Sequence, residues 1–262
     1  MADAEPKRVL LTGDVHANGE WAVHHVLKTA RRNKVQLILQ VGDLSVWPGI
    51  RGKRFLDDVD HESGLARIPW HFIDGNHEDF DQLLAYPIGE DGRRIVRQHI
   101  LHLPRGFRWS WAGRSFLALG GAGSIDRDSR LPGRSWWPEE TITDEDVREC
   151  ISGGPVDVLI AHDAPADLHL TSGWGRPPED ILVDLEASRG RLQHVVDACR
   201  PMLLVHGHWH FGQRSKVQRA DGGSYEVVSL AADEQASGHC ALLDLVALRS
   251  NADPSSAISV ID

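Results

Sequence analysis

Residues 8–16 read RVLLTGDVH, an apolar run that stops at a glycine and continues into an acid and, two positions later, a histidine. VLLTG is short and continuously apolar, as expected of a buried strand rather than a helix. Asp14 and His16 lie just past its end. The same layout recurs along the chain. VQLILQV at 35–41 ends at Gly42-Asp43, and WHFID at 70–74 ends at Gly75-Asn76-His77-Glu78. VDVLIA at 156–161 ends at His162, and MLLV at 202–205 ends at His206-Gly207-His208-Trp209-His210. Between the first two runs, residues 19–33 place Trp21, Val23, Val26, Leu27 and Ala30 at helical spacing, with basic residues toward the end. Cations are stabilised by the carbonyls of a helix C-terminus, so this stretch predicts a helix. Strands alternating with helices predict an α/β sheet, and such sheets place ligands beyond the carboxyl ends of their strands.

The remaining segments fill in this frame. Residues 95–103, 107–111 and 115–119 predict short strands, the last two joined by a turn at Ala112-Gly113. A glycine-rich loop, Gly120-Gly121-Ala122-Gly123, leads into IDRDSRLPGRSWWPEE. Residues 143–151 predict a helix capped by Thr143. Residues 163–180 are rich in Pro and Gly and read as a loop; 191–199 read as a helix stopped by Pro201. Residues 213–246 are expected to be β-rich. One domain over 1–249 follows, with 250–262 a polar tail in which no ordered element is expected.

The chain has 262 residues, enough for a sizeable core, and a formal net charge of -10. That acidity argues against tight non-specific binding to nucleic acid and against anionic membranes. No apolar run is long enough to cross a bilayer, and the first residues lack a signal peptide's apolar core. Three widely spaced cysteines, Cys150, Cys199 and Cys240, predict reduced, buried thiols. The expected location is the cytoplasm.

Five blocks bring carboxylate, amide oxygen and imidazole to strand ends: Asp14-Val15-His16, Gly42-Asp43, Asn76-His77-Glu78, His162 and His208-Trp209-His210. A phosphate ester is anionic and repels an attacking hydroxide. A pair of cations, roughly 3.5–4 Å apart in typical two-metal sites, cancels that repulsion and acidifies a shared water. Asp and His suit manganese, iron or zinc.

In content and order these blocks resemble the calcineurin-like metallophosphoesterase superfamily, from Asp14 to His210. The resemblance implies a four-layer α/β/β/α sandwich of two mixed β-sheets flanked by helices. It implies two divalent or trivalent metal ions, Mn2+, Fe2+/Fe3+ or Zn2+. Asp14, His16 and His210 then correspond to ligands of the first, Asp43 to the bridging carboxylate, and Asn76, His162 and His208 to ligands of the second. It further implies in-line attack by a hydroxide bridging the metals, with His77 hydrogen-bonding the phosphate or protonating the leaving oxygen. One departure matters: the protein-phosphatase branch carries Asp-Arg-Gly after the Gly-Asp block, whereas residues 42–49 here read Gly-Asp-Leu-Ser-Val-Trp-Pro-Gly. The acid supporting the catalytic histidine in that branch is therefore missing, and Glu78 is the expected replacement.

Arg127, Arg130, Arg134, Trp136 and Trp137 are candidate substrate contacts, since guanidinium groups fork onto phosphate and indoles stack on bases; the alternative for Trp136 and Trp137 is that they pin a long loop onto the domain. Trp47, Trp174, Trp209 and Arg176 are further candidates for the rim. His169 is a rival to His162. The other histidines, His24, His25, His61, His71, His99, His102, His194, His206 and His239, are read as surface, core or supporting residues. The expected activity is hydrolysis of phosphomonoesters or phosphodiesters of a small or nucleotide-like substrate. A protein serine/threonine phosphatase, a nuclease and a non-catalytic scaffold are the rival classes, and the retained His16 and His77 favour turnover.

Overall fold

The computed structural model describes residues 5–170, 177–250 and 253–261. Its first sheet is built on strand β1 (Arg8–Thr12), which pairs in parallel with β2 (Leu37–Gln40); β3 (Trp70–Phe72) and β5 (Ile100–His102) extend the parallel run. Antiparallel β4 (Arg94–Ile95) closes one edge. On the other side of β1 lie β12 (Cys240–Asp244) and β13 (Ile258–Ile261), both antiparallel. The second sheet runs β10 (Gln213–Gln218), β11 (Ser224–Ser229), β9 (Leu203–His206), β8 (Val158–Ala161), β7 (Arg114–Leu119) and β6 (Arg108–Trp111).

Alternation along the strands sorts the core into three layers. Val9, Leu11, Leu39 and Val41 of the first sheet meet Phe116, Ala118, Ile160 and Val205 of the second. The opposite face of the first sheet, Leu10, Ile38, Trp70 and Phe72, packs on helical residues Val26, Leu27, Phe55 and Val59. The opposite face of the second, Leu117, Leu159 and Leu204, packs on Val147, Leu192 and Val195. Both mixed sheets thus carry helices on their outer faces, the α/β/β/α order anticipated from the motifs. Each fully buried aliphatic side chain contributes about 1.5–3 kcal/mol.

The first helical stretch runs from α1 (Gly19–Trp21) through a π-helical segment (Ala22–Leu27) into α2 (Lys28–Arg32). Then come α3 (Gly49–Ala66), α4 (Phe80–Ala85), α5 (Asp144–Ser152), α6 (Glu179–Cys199) and α7 (Leu245–Ser250). At α5 the Thr143 hydroxyl accepts from Asp146 N (3.1 Å), and the Asp146 carboxylate accepts from Thr143 N (2.8 Å). Four helices depart from the sequence reading, among them the short α4 and α7, for which no helix was expected. Helix α3 was not anticipated: its buried Gly52, Phe55, Leu56, Val59 and Ser63 form a stripe diluted by Gly and Ser. Helix α6 begins at Glu179, inside the expected loop, not at Arg191; Ile181, Leu185 and Ser188 continue the buried stripe upstream of Leu192. The tail expected to lack order also corrects: Ala257 and Ile258 are buried, and β13 adds a strand beside β12.

No helix among the described residues is long and apolar enough to cross a membrane. Cys150, Cys199 and Cys240 are buried and form no disulfide.

Candidate metal centre

The carboxyl ends of β1, β2, β3, β8 and β9 converge on one rim between the sheets, and each delivers one of the five polar blocks. The turns are tight. Gly42 has φ +103, and a Cβ there would lie 2.0 Å from the His162 Nδ1 atom. A Cβ on Gly75 would lie 2.0 Å from Asp43 Oδ1. No larger residue lets these strand ends close on one another. His16, Asp43, His208 and His210 all adopt left-handed backbone, with φ between 50 and 64. Strain of that kind persists only where the surroundings over-determine it, and it gathers at functional sites.

Two triads result. Asp14, His16 and His210 place one ligand atom each within 4.8 Å of one another, as do Asp43, His162 and His208. His210 Nε2 lies 3.2 Å from Asp14 Oδ2. Asp43 Oδ2 faces both triads, 3.6 Å from His16 Nε2 and 3.4 Å from His162 Nε2. Asn76 Oδ1 is 3.1 Å from His162 Nε2, and the Asn76 amide is aimed by donating to Ser124 Oγ at 3.0 Å. All seven expected ligands therefore reach one place. His169 is exposed, and His206 turns away, with Nε2 at 2.8 Å from Ser229 Oγ.

The residues fit a pair of cations on two observations. Asp43 is buried, yet its Oδ2 has no hydrogen-bond partner. His162 directs Nδ1 at the Val41 carbonyl (2.8 Å), which can only accept, so Nδ1 carries a proton. The neutral ring then presents a bare Nε2 to two oxygens, Asp43 Oδ2 and Asn76 Oδ1. An acceptor facing acceptors needs a cation between them, a proton or a metal.

The titration directions agree. Burial opposes ionisation of Asp43, but the charge of His162 and then His77 outweighs it and holds the carboxyl well below the usual range. Asp14 is opposed by burial and drawn down by the His210 hydrogen bond. Burial lowers His16, but the hydrogen bond to Asp233 and the nearby Asp43 carboxylate push it to about 11. His162 is lowered by burial and raised more by Asp43, to about 10. Burial, reinforced by the charge of His162, takes His208 well below its ordinary value. With metal-free carboxylates this dense, protons occupy the imidazoles where a metal would displace them.

His77 stands beside the triads, its ring centroid 5.7 Å from that of His16, and its backbone N donates to Asp43 Oδ1 (2.8 Å). Glu78 does not orient it. The Glu78 side chain is fully buried and accepts from Val46 N at 2.5 Å, and burial pushes its carboxyl up to about 8. A residue adjacent in sequence on a turning chain points elsewhere. The partners of His77 are instead Arg130, whose Nη1 is 3.4 Å from Nδ1, and Asp126, 4.0 Å from Nε2. Sequence reasoning missed Asp126, and it missed Asp233, which lies 2.8 Å from His16 Nδ1; no local signal marks either. Asp233 arrives through its own N–H to the Asp14 carbonyl (2.8 Å) and also accepts from Asn18 Nδ2 (2.9 Å).

The expected substrate contacts divide. Arg130 reaches the rim, donating to the Asn76 carbonyl (3.1 Å) and pairing with the buried Glu140. Arg127 is turned to Asp180 (2.6 Å) and Asp184 on α6. Trp137 is 6% exposed, packs in the outer helical layer and donates Nε1 to Asp81 (3.1 Å), so it pins its loop to the core. Trp209 donates to Asp163 (3.0 Å) and joins the other outer layer. Trp136 is half-buried and Arg134 exposed. Trp47 is 38% exposed and donates to the His77 carbonyl at 3.2 Å. Trp174 and Arg176 fall outside the described residues.

The calcineurin-like phosphoesterase family model matches residues 7–212. Solved structures are similar at low identity. A hypothetical protein from Thermus thermophilus shares 15% identity over 86% of this chain and 75% of its own, with a TM-score of 0.38. A structure described as a novel phosphatase from Mycoplasma pneumoniae shares 11% over 92% and 89%, with a TM-score of 0.44. No curated protein matches the sequence.

Proposed function

Because the chain belongs to the calcineurin-like phosphoesterase family, a family of metal-dependent phosphoester hydrolases, we propose that it uses two metal ions to hydrolyse a small or nucleotide-like phosphomonoester or phosphodiester. Asp14, His16 and His210 would hold one ion, Asn76, His162 and His208 the other, and Asp43 would bridge. Mn2+, Fe2+/Fe3+ and Zn2+ all suit this mixed carboxylate and imidazole set. When bound, such ions neutralise the phosphate and acidify the attacking water.

The protein's own groups do the rest. Arg130 can only donate, so its approach to Nδ1 leaves the proton of a neutral His77 on Nε2. That proton is available to a phosphate oxygen or to the departing alkoxide. Asp126, 4.0 Å from Nε2, favours the protonated ring through its charge. Arg130, backed by Glu140, keeps positive charge at the rim without becoming mobile. The single observation that supports this reading most is the bare, buried Oδ2 of Asp43 set between the two triads. The net charge of -10 favours small substrates over nucleic-acid polymers.

The test is hydrolysis of a chromogenic aryl phosphate and of the matching diester after metal reconstitution. At least one should turn over, and a chelator should abolish the rate. A chelated sample hydrolysing at full rate would rule out the metal mechanism.

A further inference from the structure

Behind β1, separate from both triads, His25, His239 and Cys240 bring one metal-binding atom each to within 4.8 Å of one another. His239 is 4% exposed and Cys240 is fully buried. His25 projects from the π-helical segment, a local departure from α-geometry that is frequent at functional sites. Trp21 stacks on the His25 ring (centroids 3.9 Å, planes at 11°), and His239 meets both rings edge-on, at 4.9 and 4.7 Å. His25 and His239 thus belong to one aromatic cluster with Trp21, and their ligand nitrogens stand close to the Cys240 thiol.

The tautomer of His239 is determined. Its Nε2 lies 3.2 Å from the Gln235 carbonyl, which can only accept, so Nε2 carries the proton. Nδ1 is left with its lone pair, buried and without a hydrogen-bond partner. A histidine that ligates a metal characteristically donates its other N–H to a carbonyl or carboxylate in this way.

We propose that His25, His239 and Cys240 form an additional metal site, one for a soft or borderline cation, with Zn2+ the best fit. Two imidazoles and a thiolate are three of the four ligands of a tetrahedral Zn2+, and water would complete it. With Zn–N of about 2.0–2.1 Å and Zn–S of about 2.3 Å, the ligand atoms would draw in to roughly 3.3–3.8 Å of one another. Small side-chain rotations cover that distance. The site contains no carboxylate, so it selects softer ions than the triads at the rim.

Its place in the fold gives it a structural role. Cys240 pairs with Thr12 across β12 and β1, and the His239 carbonyl accepts from Gly13 N (3.0 Å). Asp14 follows directly. An ion here ties the first helix to β12, the neighbour of the strand that delivers Asp14 and His16.

Co2+ titration of the full chain provides the test. The wild type should develop a thiolate-to-Co2+ charge-transfer band in the near ultraviolet, saturating at one ion per chain. The band should vanish in Cys240→Ser, weaken in His239→Gln and His25→Gln, and persist in Cys150→Ala and Cys199→Ala. Zn2+ should raise the Tm of the wild type more than that of Cys240→Ser. Should Cys240→Ser fail to fold, the half-buried His25→Gln carries the comparison. A folded wild type without the band at saturating Co2+, or an undiminished band in Cys240→Ser or in His25→Gln, overturns the site. Hydrolysis plays no part in the readout, so this site and the triads at the rim stand or fall separately.

Discussion

Asp74 and Asp43 are buried carboxylates just beyond the ends of the neighbouring strands β3 and β2, and they are held in opposite ways. Asp74 is closed in by its own protein. His102 Nε2 lies 3.0 Å from Oδ1 and Arg105 Nε donates to Oδ2 at 2.8 Å. Burial opposes its ionisation, but the Arg105 guanidinium outweighs that and holds it below the usual range. Arg105 in turn reaches Asp146 (3.0 Å) and the Thr141 carbonyl (2.8 Å). Around Asp43 the positive charge comes from imidazoles instead. Among the described residues no lysine or arginine pairs with it, its Oδ2 accepts no hydrogen bond, and imidazoles surround it. One cluster is complete and structural. The other balances its charge on protons of imidazoles 3.4 and 3.6 Å away, which a metal would displace.

The contrast can be broken most severely at its centre. Asp43→Asn should lower phosphoesterase turnover by roughly a thousand-fold or more, since several kcal/mol of charge stabilisation is lost with the bridging carboxylate. The same variant, free of metal, should melt lower than the wild type at neutral pH, because the depressed pKa of Asp43 means that its ionised form stabilises the fold through the neighbouring imidazoles. Steady-state kinetics and calorimetry on the apo forms check both halves.

His77→Ala comes next. A drop in kcat of about 10²–10⁴ is expected with metal content unchanged, because the role proposed for the ring is on protons rather than on the ions. The loss should shrink for esters with better leaving groups. Loss of bound metal in this variant would move His77 into the ligand set.

Arg105→Ala attacks the complete cluster. It leaves Asp74 buried without its guanidinium and should cost about 3–5 kcal/mol, read by urea unfolding. Metal content per folded chain should not change. A smaller effect is expected from Asp233→Asn, which leaves His16 in place but weakens its orienting partner. Metal affinity should fall by roughly 10–100-fold, measured by competition with a chromophoric chelator.

Much of this is legible in the sequence because strand ends are local. An apolar run, a small residue and a polar block stand together at Gly13-Asp14, Gly42-Asp43 and Gly75-Asn76, and nothing distant is needed to recognise them. What escapes is non-local. Asp233 lies in a loop between β11 and β12 and meets His16 only because β12 folds back beside β1. Asp126 approaches His77 from the loop after β7, while Glu78, next to His77 in the chain, points into the core. The indole of Trp137 suggests stacking chemistry, whereas its position after Ser135 and Trp136 brings it under α4. Helix α3 hides because Gly52 and Ser63 occupy its buried stripe, where an apolar residue would have announced it. His25 and His239 say little singly; their meaning lies in where the π-helical turn and β12 meet.

The central claim is that Asp43 joins two ions held by separate triads. Electron paramagnetic resonance of the Mn2+-loaded protein tests it most directly. The account predicts an exchange-coupled spectrum from a pair of neighbouring ions in the wild type, lost in Asp43→Asn. A wild-type spectrum showing only magnetically isolated Mn2+ at full occupancy would contradict it.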